Sequence, residues 1–107
     1  MRLRYLSFMV VGAAVAAQQV HAQEFGDLQQ GRALAQQVCG ECHAVGTADA
    51  RSPHSLAPTF EAVAATPGMT AAALNVFLHT PHHAMPDLVL TADQNNGIIA
   101  YILSLKK

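Results

Sequence analysis

Cys39-Gly40-Glu41-Cys42-His43 is the stretch that decides how the rest of the chain is read. Two cysteines separated by two residues, with a histidine directly after the second, form the C-x-x-C-H pattern of a c-type haem attachment site. The spacing follows from the chemistry. On one turn of helix each thiol can add to one vinyl group of a porphyrin, and the next residue then lies under the iron with a ring nitrogen pointing at it. Cys39 and Cys42 are therefore the expected covalent anchors, and His43 the expected axial ligand. Three other readings compete: a zinc half-site, a redox dithiol and a structural disulfide. Zinc takes four ligands, usually with a second C-x-x-C or H-x-H pair, and the chain has only two cysteines. A redox dithiol belongs in a strand-helix-strand context, and none of the flanking sequence reads as strand.

The N-terminus points to export. Met1 to Ala22 carries Arg2 and Arg4 at its front, an apolar run from Phe8 to Ala17, then Gln18-Gln19 and the ending Val20-His21-Ala22. That is the layout of a secretory signal peptide, with cleavage expected before Gln23. The apolar run falls short of the roughly 20 residues that span a bilayer, so a retained anchor is the weaker alternative and the mature chain is expected to carry no membrane span. Residues 23–107 then form one domain of 85 residues. A chain that small buries only about 60 to 65% of its unfolded surface. A covalently held haem, a large apolar plate, would staple such a core as disulfides or zinc do in other small secreted domains.

Within residues 23–107, Arg32, Arg51, Lys106 and Lys107 stand against Glu24, Asp27, Glu41, Asp49, Glu61, Asp87 and Asp93, a formal balance of −3. Nucleic acid and anionic membrane surfaces both ask for a basic face, so neither is an expected partner.

Periodicity predicts helices joined by Pro-rich loops and no strand pair. Asp27-x-x-Gln30 has the shape of a capping box, after which Leu28, Leu34, Ala35 and Val38 share one helical face leading into the cysteine motif. Gly31 interrupts that helix at a cost of about 1 kcal/mol relative to alanine, which a close helix approach would explain. Thr91-x-x-Gln94 is a second capping box, followed by Ile98, Ile99, Tyr101, Ile102, Leu103 and Leu105 on a broad apolar face. Lys106-Lys107 are expected to close that helix, where its dipole favours cations. Between the two lie a short piece from Thr59 to Ala65 and a helix from Thr70 to about His79, with Leu74, Phe77 and Leu78 facing inward and Pro81 stopping it.

A second iron ligand is expected from Thr80-Pro81-His82-His83-Ala84-Met85-Pro86. Met85 lies in an extended, Pro-bracketed loop rather than on a helical face. A His/Met pair raises the potential and fills both axial positions, which suits electron transfer. Met69 at the start of a helix reads as a packing residue. His82 and His83 are alternative ligands that would lower the potential, while His54 and His79 read as surface residues. A backbone carbonyl in the proline-interrupted loop, with Pro58 the nominated source, is expected to accept the ring N–H of His43 and hold the imidazole.

Taken together, Gly31 with Leu34, Cys39-x-x-Cys42-His43, Ala57-Pro58, Met85-Pro86 and the closing helix with Tyr101 and Leu105 give a chain that resembles the class I c-type cytochromes, the small soluble bacterial kind. The resemblance covers nearly all of residues 23–107. It implies an all-α, small cytochrome c fold around one covalently bound haem c, with the first and last helices crossing near Gly31. It also implies Cys39 and Cys42 as thioether anchors, His43 as proximal ligand and Met85 as distal ligand. The implied function is that of a periplasmic, monomeric one-electron carrier rather than an enzyme, with a dehydrogenase, oxidase or reductase as redox partner. The alternative from another class is a haem subunit or a gas- or peroxide-binding haem protein with an open or displaced distal site. The chain departs from the family in having few lysines and in carrying the His82-His83 pair, departures that bear on the partner more than on the haem.

Overall fold

A computed structural model of the chain describes residues 26–82 and 84–107; the leader over 1–22, its cleavage before Gln23, and His83 lie outside the described residues. Four α-helices follow one another: α1 (Leu28–Val38), α2 (Phe60–Ala65), α3 (Ala71–His79) and α4 (Ala92–Ser104), with a short 3-10 turn at Cys39–Glu41. Among the described residues there is no strand, only one isolated bridge between His82 and Met85. The described part is thus mostly helical, as the all-α expectation requires.

Each helix starts at a side chain that can replace a missing backbone partner. Asp27 accepts from Gln29 N and Gln30 N, Thr59 from Ala62 N, Thr70 from Ala73 N and Thr91 from Gln94 N. Only α4 makes the reciprocal bond, Gln94 Oε1 accepting from Thr91 N at 2.9 Å. At α1 the expected box is half made: Gln30 contributes its backbone N–H alone.

α4 is the central helix, packing against α1, α2 and α3. Neighbouring positions on a helix point about 100° apart, so burying both Ile98 and Ile99 completely requires cover on two sides. α1 supplies one side, and α2 and α3 the other. Ala35, Phe60, Ala64, Met69, Leu74, Tyr101 and Ile102 complete the core, with Leu28 and Leu34 half-buried against it. Each fully buried isoleucine contributes about 1.5 to 3 kcal/mol.

Contact between α1 and α4 is made by backbone. A Cβ on Gly31 would fall 1.9 Å from Gly97 O and 2.1 Å from Gly97 C. On the other helix, a Cβ on Gly97 would meet Asp27 O at 2.9 Å and Gly31 Cα at 3.2 Å. Just before α1, Gly26 turns the chain at φ +102°, where a Cβ would meet Asn96 C at 2.4 Å. The crossing expected at Gly31 is therefore present, and it needs glycine on both helices.

Three sequence expectations are corrected. Val38 is 42% exposed: Ala35 and Cys39, four residues apart, carry the buried face at this end of α1, which leaves Val38 on the flank. Phe77 is 53% exposed: buried Leu74 and half-buried Leu78 form the inward i, i+4 stripe of α3, which leaves Phe77 on the flank. Nor do the lysines neutralise the end of α4. Lys106 Nζ donates to Met69 O at 2.6 Å, tying α4 to the Pro67-Gly68 turn, and Lys107 makes an exposed pair with Glu61 at 3.8 Å. Such exposed pairs contribute at most about 1 kcal/mol.

One buried residue is polar. Asn95 Nδ2 donates to Asn75 Oδ1 of α3 at 2.8 Å, while its own Oδ1 has no partner among the described residues.

The crossing orders the cost of filling each glycine. Gly31→Ala puts a methyl group into a backbone carbonyl and is expected to cost about 3 kcal/mol or more; Gly97→Ala, with wider spacing, is expected to cost about 1 to 2 kcal/mol. Urea-unfolding midpoints of the two variants check that order. A stabilised Gly31→Ala protein would overturn the crossing.

Candidate functional site

The end of α1 tightens rather than stopping. Cys42 N and His43 N both donate to Cys39 O, at 3.1 and 2.9 Å, so the two cysteines and the histidine sit on one turn. Cys39 is buried, Cys42 exposed and His43 half-buried. The thiols are free rather than bonded to each other. Burial pushes the Cys39 thiol up from 9.0 to about 11, which favours its neutral form.

The loop after the motif cannot be helical at Pro53 and Pro58, and its polar groups are satisfied across the loop instead. Ala44 N donates to Ser52 Oγ at 3.0 Å, His54 N to Cys42 O at 3.1 Å, and Phe60 N to Ala44 O at 2.9 Å. These bonds fold residues 43–60 back on the motif. They place Pro58 O 2.6 Å from His43 Nδ1, the nominated carbonyl in the nominated role. A carbonyl only accepts, so Nδ1 carries the proton and Nε2 keeps its lone pair. The ring is backed by Phe60, centroid to centroid 5.5 Å, and Phe60 by Tyr101 at 6.3 Å. Tyr101 Oη donates to Val45 O at 2.5 Å, fastening the residues just after His43 to α4.

Met85 stands elsewhere, half-buried in a tight turn after α3 that Met85 N closes by donating to His82 O at 3.2 Å. Cys39, Cys42 and His43 thus come together on one element, and Met85 is supplied by another. α4 packs against both α1 and α3, the helices that precede the two turns. Met69 is buried in the core, as a packing residue should be. His54 and His79 are exposed, as expected.

Haem c asks for two thiols on one turn, an imidazole nitrogen with a free lone pair, and apolar walls. The residues present fit. Cys39 and Cys42 share the turn, His43 Nε2 is free, and Leu56, in the loop that supplies Pro58, is 81% exposed, apolar surface of the kind a porphyrin covers. Among the described residues no three or more His, Cys, Asp or Glu side chains are grouped so as to hold a metal ion.

Sequence reasoning missed Ser52, the Phe60 backing and the Tyr101 tether. Only the aromatic residues carried a signal: Phe60 at the start of α2 and Tyr101 on the buried face of α4 are the large side chains able to reach a loop. Compared with known proteins, the chain matches no family model, no curated protein and no solved structure.

The tether gives a direct test. Tyr101→Phe keeps the packing but leaves Val45 O, in a buried residue, without its donor. The change is expected to lower unfolding free energy by about 1 to 2 kcal/mol in urea titrations.

Proposed function

We propose that this protein is a small c-type cytochrome of the class I kind: an exported, monomeric carrier of single electrons, holding one haem c through thioethers from Cys39 and Cys42. The observation that carries the reading is the His43 Nδ1–H bond to Pro58 O, which leaves Nε2 free on the turn that presents both thiols. A histidine set this way is a better base toward a metal, because the carbonyl polarises the ring. The haem, when bound, supplies the Fe(III)/Fe(II) couple. The chain's own part is to fix the ligands and exclude water. His43 would supply an imidazole nitrogen, its ring held by Phe60 and the tethered loop, and Met85 would supply a soft, uncharged sulfur, which favours the reduced state.

No helix of the described residues is long and apolar enough to cross a membrane. The partner is a redox protein, and the exposed Val76 and Phe77 on α3, beside the Met85 turn in sequence, favour apolar rather than lysine-steered docking.

Attachment is tested first. The unsubstituted protein, expressed with a haem-attachment system, should keep its haem through acid-acetone extraction, whereas Cys39→Ala or Cys42→Ala should weaken or abolish stable maturation. Haem that washes out of the unsubstituted protein would sink the proposal.

Ligation is tested second. Met85→Ala should abolish the near-infrared sulfur-to-iron charge-transfer band of the oxidised protein and lower the potential by more than about 59 mV, a tenfold change for one electron. An unchanged band and potential would remove Met85 from the iron.

A further inference from the structure

We propose that His82 is a stand-by axial ligand, built into the same turn as Met85 to take the iron when the thioether leaves it; this rests on the haem reading above. His82 and Met85 are partners in an antiparallel bridge, closed by Met85 N donating to His82 O at 3.2 Å across residues 83 and 84. Residues directly opposite in an antiparallel pair carry their side chains on the same face, with Cα atoms roughly 4.5 to 5.5 Å apart. Whatever surface the thioether faces, the imidazole faces too. Both residues are half-buried.

The ring is also prepared for a metal. His82 Nδ1 lies 2.9 Å from Thr80 O, a carbonyl that can only accept, so the proton is on Nδ1 and the Nε2 lone pair is free. This repeats the arrangement of His43 with Pro58. Phe77 meets the ring edge-on at 5.7 Å and limits its rotation. The other described histidines lack one requirement each. His54 Nδ1 accepts from Leu56 N, which puts its proton on Nε2, and His79, whose Nδ1 also meets a carbonyl, is exposed on the last turn of α3 and has no part in the bridge.

The exchange needs no other reactant. One iron–sulfur bond would break and one iron–nitrogen bond form; with the ring proton held on Nδ1, the neutral imidazole binds through Nε2 and no proton or electron has to move. The products differ in character: sulfur ligation favours the reduced iron, and bis-histidine ligation lowers the potential. A single turn would then hold a high-potential carrier and a low-potential form that also keeps small ligands off the iron.

The test uses the matured protein. Met85→Ala should remain low-spin and six-coordinate by electron paramagnetic resonance, and should bind carbon monoxide poorly when reduced. Adding His82→Ala should make it high-spin and tighten carbon monoxide binding at least about tenfold, as when an internal ligand holds the iron nine-tenths of the time. Adding His83→Ala instead should change neither readout. A high-spin Met85→Ala protein, or opening by His83→Ala rather than His82→Ala, overturns the proposal. Should Met85→Ala not mature, His82→Ala alone, which keeps Met85, serves. In urea sufficient to remove the sulfur-to-iron band, the unsubstituted protein should stay low-spin and His82→Ala should turn high-spin; identical spectra overturn the proposal. Absence of covalent haem from the unsubstituted protein is the separate result that removes the haem reading and this inference with it.

Discussion

The contact of Gly31 with Gly97 is the constraint on which the rest depends. Two helices whose backbones touch have almost no freedom to slide or tilt, because the contact surface is rigid carbonyl and Cα rather than side chains that can turn. That fixes α1 on α4, and so fixes the direction in which α1 delivers the Cys39–His43 turn. From the same α4, Tyr101 reaches the loop just after that turn, so the motif is held before it by a helix crossing and after it by a hydrogen bond.

The two sides of the proposed haem are held very differently. On the His43 side, residues 43–60 are stitched by Ser52 Oγ, Cys42 O, Ala44 O and the Pro58 carbonyl, with an aromatic pair behind the ring. On the Met85 side, the contacts among the described residues are local: Met85 N on His82 O, His82 Nδ1 on Thr80 O and Phe77 against the His82 ring, in a loop that Pro81 and Pro86 keep out of helix. Joining the helices behind them, the Asn75–Asn95 bond leaves a buried amide oxygen unpaired, a joint weaker than a fully apolar one.

What could be read from the residues was what short-range rules govern. Thr59, Thr70 and Thr91 mark helix starts because a cap needs only a hydroxyl and the next three residues. Pro58 could be nominated because a proline-broken loop must bring carbonyls back somewhere near the imidazole. Gly31 stood out because glycine is costly inside a helix. Gly97 is as costly inside a helix and also lies at the contact, yet nothing local distinguishes a glycine that must touch another backbone from one that is tolerated. Val38 and Phe77 were assigned inward by periodicity, which gives the face of a helix but not how far round that face is covered. Asn95 lies among apolar positions and could be recognised only once Asn75 was beside it.

Gly31 and Gly97 also set an order of events for the chain. They lie near opposite ends of the described residues, so the contact that locks the fold closes a loop containing nearly everything else, and long loops close late and slowly. The Cys39–His43 turn is closed by bonds that reach only three and four residues, from Cys42 N and His43 N to Cys39 O, so closing it asks for no distant partner. Chemistry at the two thiols therefore does not have to wait for the fold. Whatever joins the two thiols can do so before the last helix closes, so that the fold is completed over a finished product rather than over an unmade one.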